Sequence, residues 1–448
     1  MNYDVVVAGA GTAGLFAAYR LAKAGLKVAL VDMKPEDKVG EKVCGDAIGD
    51  HHFKSVGLEP PRVGVDATGL FEGVRVYSPS KKAYVTARGV GYALDRKAFG
   101  QRLFRMALNA GAEFYGEHFV IKPIVEESWI RGIVVKGPNS VKEIRGKVTV
   151  EATGAAGAVR NKLPGEWWIS EKVPKEDYNA AYRVVAEVEE EQDPRYAIIY
   201  LDVNIAPGGY WWWFPKGKHG VNAGLGVRPD PEAPNPKHNV EKYIVPKIEE
   251  AGGKILHAGG GIVPTRRTIP CMVWNGIVAV GDAACTANPI HGGGIGPSLE
   301  SSYQAARTIV EALEKGEPTL EALWPYHRRY HQAYGAKQAG LDALRIYLQS
   351  LTNKELDFVI EKGIVTDREL SEMGYEGKLV DSIISKATRA LTLLTKPGLL
   401  REIVAAKNYS DEALRLFENY PETPDGYLAW REKEKALFTE IKKRFWGR

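Results

Sequence analysis

At 448 residues the chain is too long for one hydrophobic core and calls for two or three domains. Its 60 basic and 56 acidic residues leave a formal charge of +4, which gives no ground for a nucleic-acid partner, and three cysteines are too few for a disulfide framework, as suits a reducing cytoplasm. No run of about 18 apolar residues occurs and the N-terminus enters a strand at once, so neither a membrane span nor a signal peptide is expected.

The chain opens on an apolar strand, Tyr3-Asp4-Val5-Val6-Val7-Ala8, that runs into Gly9-Ala10-Gly11-Thr12-Ala13-Gly14 and the start of a helix. This GxGxxG layout is that of a dinucleotide-binding βαβ unit. Gly9 permits the tight turn, Gly11 lets the backbone approach a pyrophosphate, and Gly14 lets helix pack on strand. The pyrophosphate would rest on the helix N-terminus, where free N–H groups and the macrodipole favour negative charge. A second strand over residues 27–31 ends at Asp32, placed to accept both ribose hydroxyls of an adenosine, with Met33 beside it. Next comes a loop, Gly40-Glu41-Lys42-Val43-Cys44-Gly45-Asp46-Ala47, with a free cysteine, and then Leu94-Asp95-Arg96 at the head of a helix.

A further strand leads to Glu151-Ala152-Thr153-Gly154. Alternating stretches over 61–89 and 166–269, such as residues 197–203, suggest a sheet. Three consecutive tryptophans on one of its strands cannot share a face, because side chains alternate; Tyr210, Trp212 and Phe214 take one side, Trp211 and Trp213 the other. Ile277-Val278-Ala279-Val280-Gly281-Asp282 reads as a buried strand ending in Gly-Asp. It is followed by Asn288-Pro289-Ile290-His291-Gly292-Gly293-Gly294-Ile295-Gly296 and a helix from near Ser298. A nicotinamide has no need of this second glycine site, whereas a flavin does, because its ribityl chain and ring lie far from the adenosine. Beyond Gly316 the chain turns helical and charged, and its last segment sets Trp430, Leu437, Ile441 and Phe445 on one stripe near Lys442, Lys443 and Arg444. Such a stripe packs on the parent protein or lies on an anionic membrane surface.

Together these motifs resemble the glutathione-reductase-like FAD superfamily, in the branch of aromatic hydroxylases, flavin halogenases and geranylgeranyl reductases. Pro207-Gly208-Gly209-Tyr210-Trp211-Trp212-Trp213-Phe214-Pro215 reads as PxxYxWxFP, the pattern of the geranylgeranyl reductase family. The halogenase pattern WxWxIP is departed from at Tyr210 and Phe214, and Thr153 stands where the hydroxylase signature has an aspartate, which withdraws support from NADPH-driven hydroxylation.

The resemblance implies FAD, and no metal. Cofactor contacts are expected from Gly9, Gly11, Ala13, Gly14, Asp32, Met33, Arg96, Ala152 and Gly154. Gly281 and Asp282 would meet the ribityl or phosphate region, and Gly292, Gly293, Gly294 and Ile295 would offer N–H groups to the pyrimidine edge. The Cys44-Gly45 pair would lie over the flavin, so Cys44, Gly45 and His291 are the candidate catalytic residues. His51 and His52 are further relay candidates, while Cys271 and Cys285 read as structural. Tyr210, Trp212, Phe214 and Pro215 would line the substrate pocket.

The expected fold is α/β. A discontinuous Rossmann-like FAD-binding domain (1–60, 90–165 and 270–315) carries an inserted mixed β-sheet substrate domain (61–89 and 166–269) and a helical C-terminal region (316–448). The expected activity is FAD-dependent saturation of isolated C=C bonds of geranylgeranyl (prenyl) chains on archaeal-type isoprenoid ether lipid precursors. Electrons would arrive from ferredoxin or NAD(P)H, in the cytoplasm or peripherally on the inner face of the membrane. An isolated alkene is not polarised, so hydride attack at one carbon needs protonation of the other, by Cys44 or a water it holds. The alternatives are a flavin monooxygenase acting on a quinone or aromatic, and a non-catalytic electron-transfer or prenyl-binding flavoprotein.

Overall fold

The structure, a computed structural model, describes residues 2–230, 232–376 and 387–447. The near-continuous apolar run Val5-Val6-Val7 is what a parallel strand needs when both of its faces are covered, and all three side chains are fully buried. Asn2–Ala8 pairs in parallel with Val28–Val31 on one side and with Val141–Glu151 on the other. Glu113–Tyr115 and Ile277–Ala279 extend this sheet at either end, again in parallel, and an antiparallel meander of Phe119–Glu126 and Trp129–Lys136 joins it beside Val141–Glu151. The helix Thr12–Lys23 packs between Arg96–Asn109 and Ile295–Lys315. Ala8, Val31, Glu151 and Ala279 therefore end side by side at the carboxyl edge of the sheet, where open α/β sheets bind their ligands.

A second, eight-stranded mixed sheet runs in the order Lys254–Pro264, Tyr178–Glu187, Gly220–Val227, Tyr210–Pro215, Tyr196–Tyr200, Ala67–Tyr77, Tyr84–Leu94, Ala47–Gly49. Two pieces assigned by sequence to the cofactor domain lie here instead. Ala47–Gly49 satisfies its backbone groups on the free edge of Tyr84–Leu94, which itself runs four residues past the expected boundary at 90. Short helices at Pro236–Tyr243 and Val245–Glu250 cover the outer face, burying Val184, Trp211, Leu225, Val240 and Ile248 together. The inner face carries Phe71, Ile199, Trp212 and Phe214.

The glycine-loop helix begins at Ile295, ahead of the expected Ser298, because Pro297 falls in its first turn, where a missing N–H costs nothing. In the C-terminal region, Ala336–Leu348 packs against Pro397–Glu418 and Tyr427–Trp446. Trp430, Leu437, Ile441 and Phe445 all face inward and are buried, so of the two readings of this stripe the structure shows packing on the parent protein: its apolar surface is spent on the protein's own core. No helix among the described residues is long and apolar enough to cross a membrane.

Candidate active site

The first glycine turn shows which of its glycines serve the fold. Gly9 has φ +105°, and a Cβ on it would stand 2.4 Å from the Ala152 carbonyl oxygen. One on Gly14 would stand 1.8 Å from the Gly9 carbonyl oxygen, so both positions exclude any side chain. Gly11 has nothing within 4 Å of a Cβ and instead faces open space at the start of the helix. Asp32, at the end of its strand, accepts from the Ala10 N–H at 2.6 Å and the Lys34 N–H at 2.9 Å, which fixes its carboxylate toward the same turn. Met33 beside it is 55% exposed.

Two orphaned polar groups test whether this turn suits FAD. Buried Arg96 reaches the first helical turn, where its Nη2 donates to Thr12 Oγ1 at 3.1 Å, while Nε and Nη1 have no partner among the described residues. A buried guanidinium with idle donors is costly unless an anion meets it, and a pyrophosphate at this helix start would. Buried Asp282 Oδ1 is likewise unpartnered, 3.2 Å from where a Gly294 Cβ would stand, and can accept from a ribityl hydroxyl. Its other oxygen faces Lys42 Nζ at 3.4 Å. The donor and acceptor set at both ends fits the cofactor.

Between the two ends stands a buried hub that sequence reasoning missed. The Glu151 carboxylate accepts four hydrogen bonds, from Thr153 N–H (2.9 Å), Thr153 Oγ1 (2.6 Å), Val159 N–H (2.6 Å) and Arg160 N–H (2.9 Å). Thr153 thus holds its own turn, including Gly154 at φ +69°, and Arg160 Nε ties that turn to the Ala283 carbonyl at 2.8 Å. Gly281 and Ala13 meet here too, since a Cβ on Gly281 would lie 2.8 Å from the Ala13 Cβ.

In the second glycine loop, Asn288 Oδ1 accepts from the Ile290 and His291 N–H groups at 2.9 and 3.2 Å. Gly292 takes φ +65°, and the Gly293 N–H donates to His291 Nδ1 at 3.1 Å. The His291 side chain is exposed on the cleft, and desolvation by the protein around it, with Lys337 adding to it, pushes its pKa down to about 4. Burial likewise takes His52 down to about 3, where its ring packs against Gly296, and Lys337 down to about 8. These histidines are neutral near pH 7, so none of them holds a proton there as an imidazolium.

The aromatic strand closes the site. Tyr210 donates from its hydroxyl to the His291 carbonyl at 2.6 Å, and Gly45 lies so close to Phe214 that a Cβ would stand 3.2 Å from the ring. Tyr210, Trp212 and Phe214 line up with ring centroids 6.1 Å apart. On the opposite face Trp211 stacks on Tyr200 at 3.8 Å and Trp213 Nε1 donates to Gln192 at 2.8 Å. Pro215, expected to line the substrate pocket, follows the alternation onto the Trp211 side, away from the face of Tyr210, Trp212 and Phe214. Half-buried Cys44 accepts from the Asp46 N–H at its sulfur, 3.3 Å away. Burial lowers the pKa of nearby Arg183, against which the charge of Asp46 acts. Cys271 and Cys285 are fully buried, and their thiols are pushed up to about 12 and about 11.

Residues 177–263 match the family model described as the geranylgeranyl reductase catalytic domain, and residues 4–161 match one described as FAD dependent oxidoreductase. The chain is 37% identical to the digeranylgeranylglycerophospholipid reductase of Sulfolobus acidocaldarius over 99% of both chains. It is 30% identical to digeranylgeranylglycerophospholipid reductase 2 of Methanopyrus kandleri, over 90% of this chain and 98% of that one. Among solved structures, a geranylgeranyl bacteriochlorophyll reductase-like protein from Thermoplasma acidophilum superposes with a TM-score of 0.76 at 24% identity, covering 90% of this chain and 99% of that one. A flavin-dependent brominase shares the fold at a TM-score of 0.65 and 17% identity, over 90% and 100% of the two chains.

Proposed function

The chain belongs to the digeranylgeranylglycerophospholipid reductase family, and from that premise we propose that it is an FAD-dependent reductase that saturates isolated double bonds of geranylgeranyl chains on archaeal-type ether lipid precursors. The observation that carries this reading is the seating of the Cys44-Gly45 loop on an aromatic face that also touches the second glycine loop.

Bound FAD, once reduced, supplies the hydride that adds to one alkene carbon. The Cys44 thiol gives its proton to the other carbon, so that two hydrogens cross one C=C bond. The sulfur left behind keeps the Asp46 N–H as a donor, with the Arg183 cation nearby, until solvent reprotonates it. Tyr210, Trp212 and Phe214 exclude water from the reacting bond and offer their π faces to partial positive charge on it. A long prenyl chain brings roughly 0.8 kcal/mol per buried methylene, so positioning rather than affinity limits the step. Electrons reach the site from ferredoxin or NAD(P)H, which anaerobic reduction of the protein with each donor distinguishes.

The test is an anaerobic single turnover of the reduced protein with a geranylgeranyl lipid. Flavin absorbance should return as a saturated product forms; a product hydroxylated only when oxygen is admitted would point to a monooxygenase instead. Cys44→Ala should keep FAD and accept electrons yet turn over at least about tenfold more slowly, a modest demand for a general acid. Unchanged turnover removes Cys44 from the mechanism.

A further inference from the structure

Asn222 is fully buried as the third residue of the strand Gly220–Val227, in register with Phe214 on the inner face of the sheet. Its Oδ1 accepts from Trp212 Nε1 at 3.1 Å, and its Nδ2 donates to the Cys44 carbonyl at 2.8 Å and to Asp46 Oδ2 at 3.0 Å. The side chain thus spends its acceptor and both donors on one ring and one loop.

The loop is held from other directions as well. Asp46 has φ +65°, which turns its N–H onto the Cys44 sulfur, and its carboxylate also meets Lys216 Nζ at 3.2 Å. Lys216 in turn donates to the Leu94 carbonyl at 2.7 Å. The sheet beneath is cleared to receive the loop. A Cβ on Gly259 would lie 2.7 Å from Val43, and one on Gly224 would lie 2.7 Å from the Trp212 ring. Strand packing does not call for an amide at position 222, where an aliphatic side chain would fill the space without the cost of burying polar atoms. What the amide adds is a rigid link between the backbone of Cys44 and the indole of Trp212.

We propose that Asn222 is the positioning residue of the protonation step, locking the thiol-bearing loop and the ring that holds the alkene into one unit. The proposal rests on Cys44 being the proton donor. A donor displaced by about 1 Å from its acceptor carbon costs up to about a hundredfold in rate, so the link decides how fast the proton arrives.

The experiment uses the FAD-loaded protein and Asn222→Leu, which keeps the branching and the number of side-chain heavy atoms and removes all three bonds. Cys44 alkylation by iodoacetamide is a direct readout, because Cys271 and Cys285 are buried. Alkylation should speed up several-fold in the variant while bound FAD is retained. Anaerobic single turnover should slow about tenfold, with a larger solvent deuterium isotope effect. Added to Cys44→Ala, Asn222→Leu should slow turnover no further, since the group it positions is gone. Equal slowing in both backgrounds, or unchanged alkylation and turnover, overturns the proposal and leaves Cys44 in place. Wild-type turnover by Cys44→Ala alone sinks the donor reading and the proposal with it. Should Asn222→Leu not fold, Asp46→Gly tests the same link. It preserves the left-handed backbone, removes the carboxylate that Asn222 grips, and should give the same faster alkylation and the same non-additive slowing; their absence counts against the link.

Discussion

Asp32 and His327 give the sharpest expectations for single residues. Asp32 is held toward the first glycine turn by two backbone N–H groups, so Asp32→Ala removes an ordered acceptor of ribose hydroxyls. Charged hydrogen bonds of about 1.5–3 kcal/mol each imply FAD retention weaker by about tenfold or more, measurable by dialysis against the apoprotein. His327 is fully buried, accepts from the Met272 N–H at Nε2 and donates from Nδ1 to the Trp324 carbonyl; burial pushes it from 6.5 to about 3. The unfolded chain therefore binds a proton that the folded chain refuses, and stability falls as pH drops from 6.5 toward 3. His327→Gln keeps an acceptor for Met272 and cannot titrate, so melting temperature against pH should show a flatter acid limb than wild type. What was legible at this scale was local. Gly9, Gly14 and Asp32 belong to one strand–helix–strand unit at the head of the chain, whereas Asn222 meets Cys44 across 178 residues, a pairing that only the path of the fold decides.

Among the elements, the aromatic strand Tyr210–Pro215 combines two jobs that alternation keeps apart. Trp211 is stacked on Tyr200 beneath the outer helices, so Trp211→Ala should cost about 3–5 kcal/mol in denaturant unfolding and leave the pattern of bonds reduced unchanged. Phe214→Leu, on the face that meets Gly45, should shift that pattern or the preferred chain length. If both variants change stability alone, the strand is core and the pocket lies elsewhere. The period of two was readable from residues 210–214 because strand geometry imposes it whatever the neighbours. The terminal helix was readable as amphipathic for the same kind of reason, yet its periodicity could not name the surface that receives Trp430 and Phe445. That surface is made by Ala336–Leu348, far upstream of it, together with the preceding long helix Pro397–Glu418.

Over the whole molecule, a buried ionic network fastens the C-terminal helices to the segment between the two sheets. Arg267 pairs with Asp342 at 2.9 Å and with Glu434, and Asp177 bridges Arg266 and Arg345 at 3.2 Å each. Burial opposes ionisation of Asp177, but Arg266, Arg345 and Lys442 outweigh it and hold its carboxyl well below the usual range. Because that pKa is depressed, the stabilisation is present above 3.8 and is lost only in stronger acid, where the effect of His327 is already ending. Arg267→Met strips one partner from each of two buried carboxylates and should cost about 3–5 kcal/mol in denaturant unfolding; a change below about 1 kcal/mol would mean solvent already reaches the pair. The cofactor sheet itself is sewn from strands far apart in the chain, with Val6 beside Thr149 and Thr149 beside Ile277. Parallel pairings of such long range close late and leave apolar strands waiting for partners. The two ends of the FAD cradle stand in register through Val141–Glu151, which takes both neighbours. A ligand that needs both ends binds the folded chain and not the unfolded one, so added FAD should raise the melting temperature of the apoprotein by mass action.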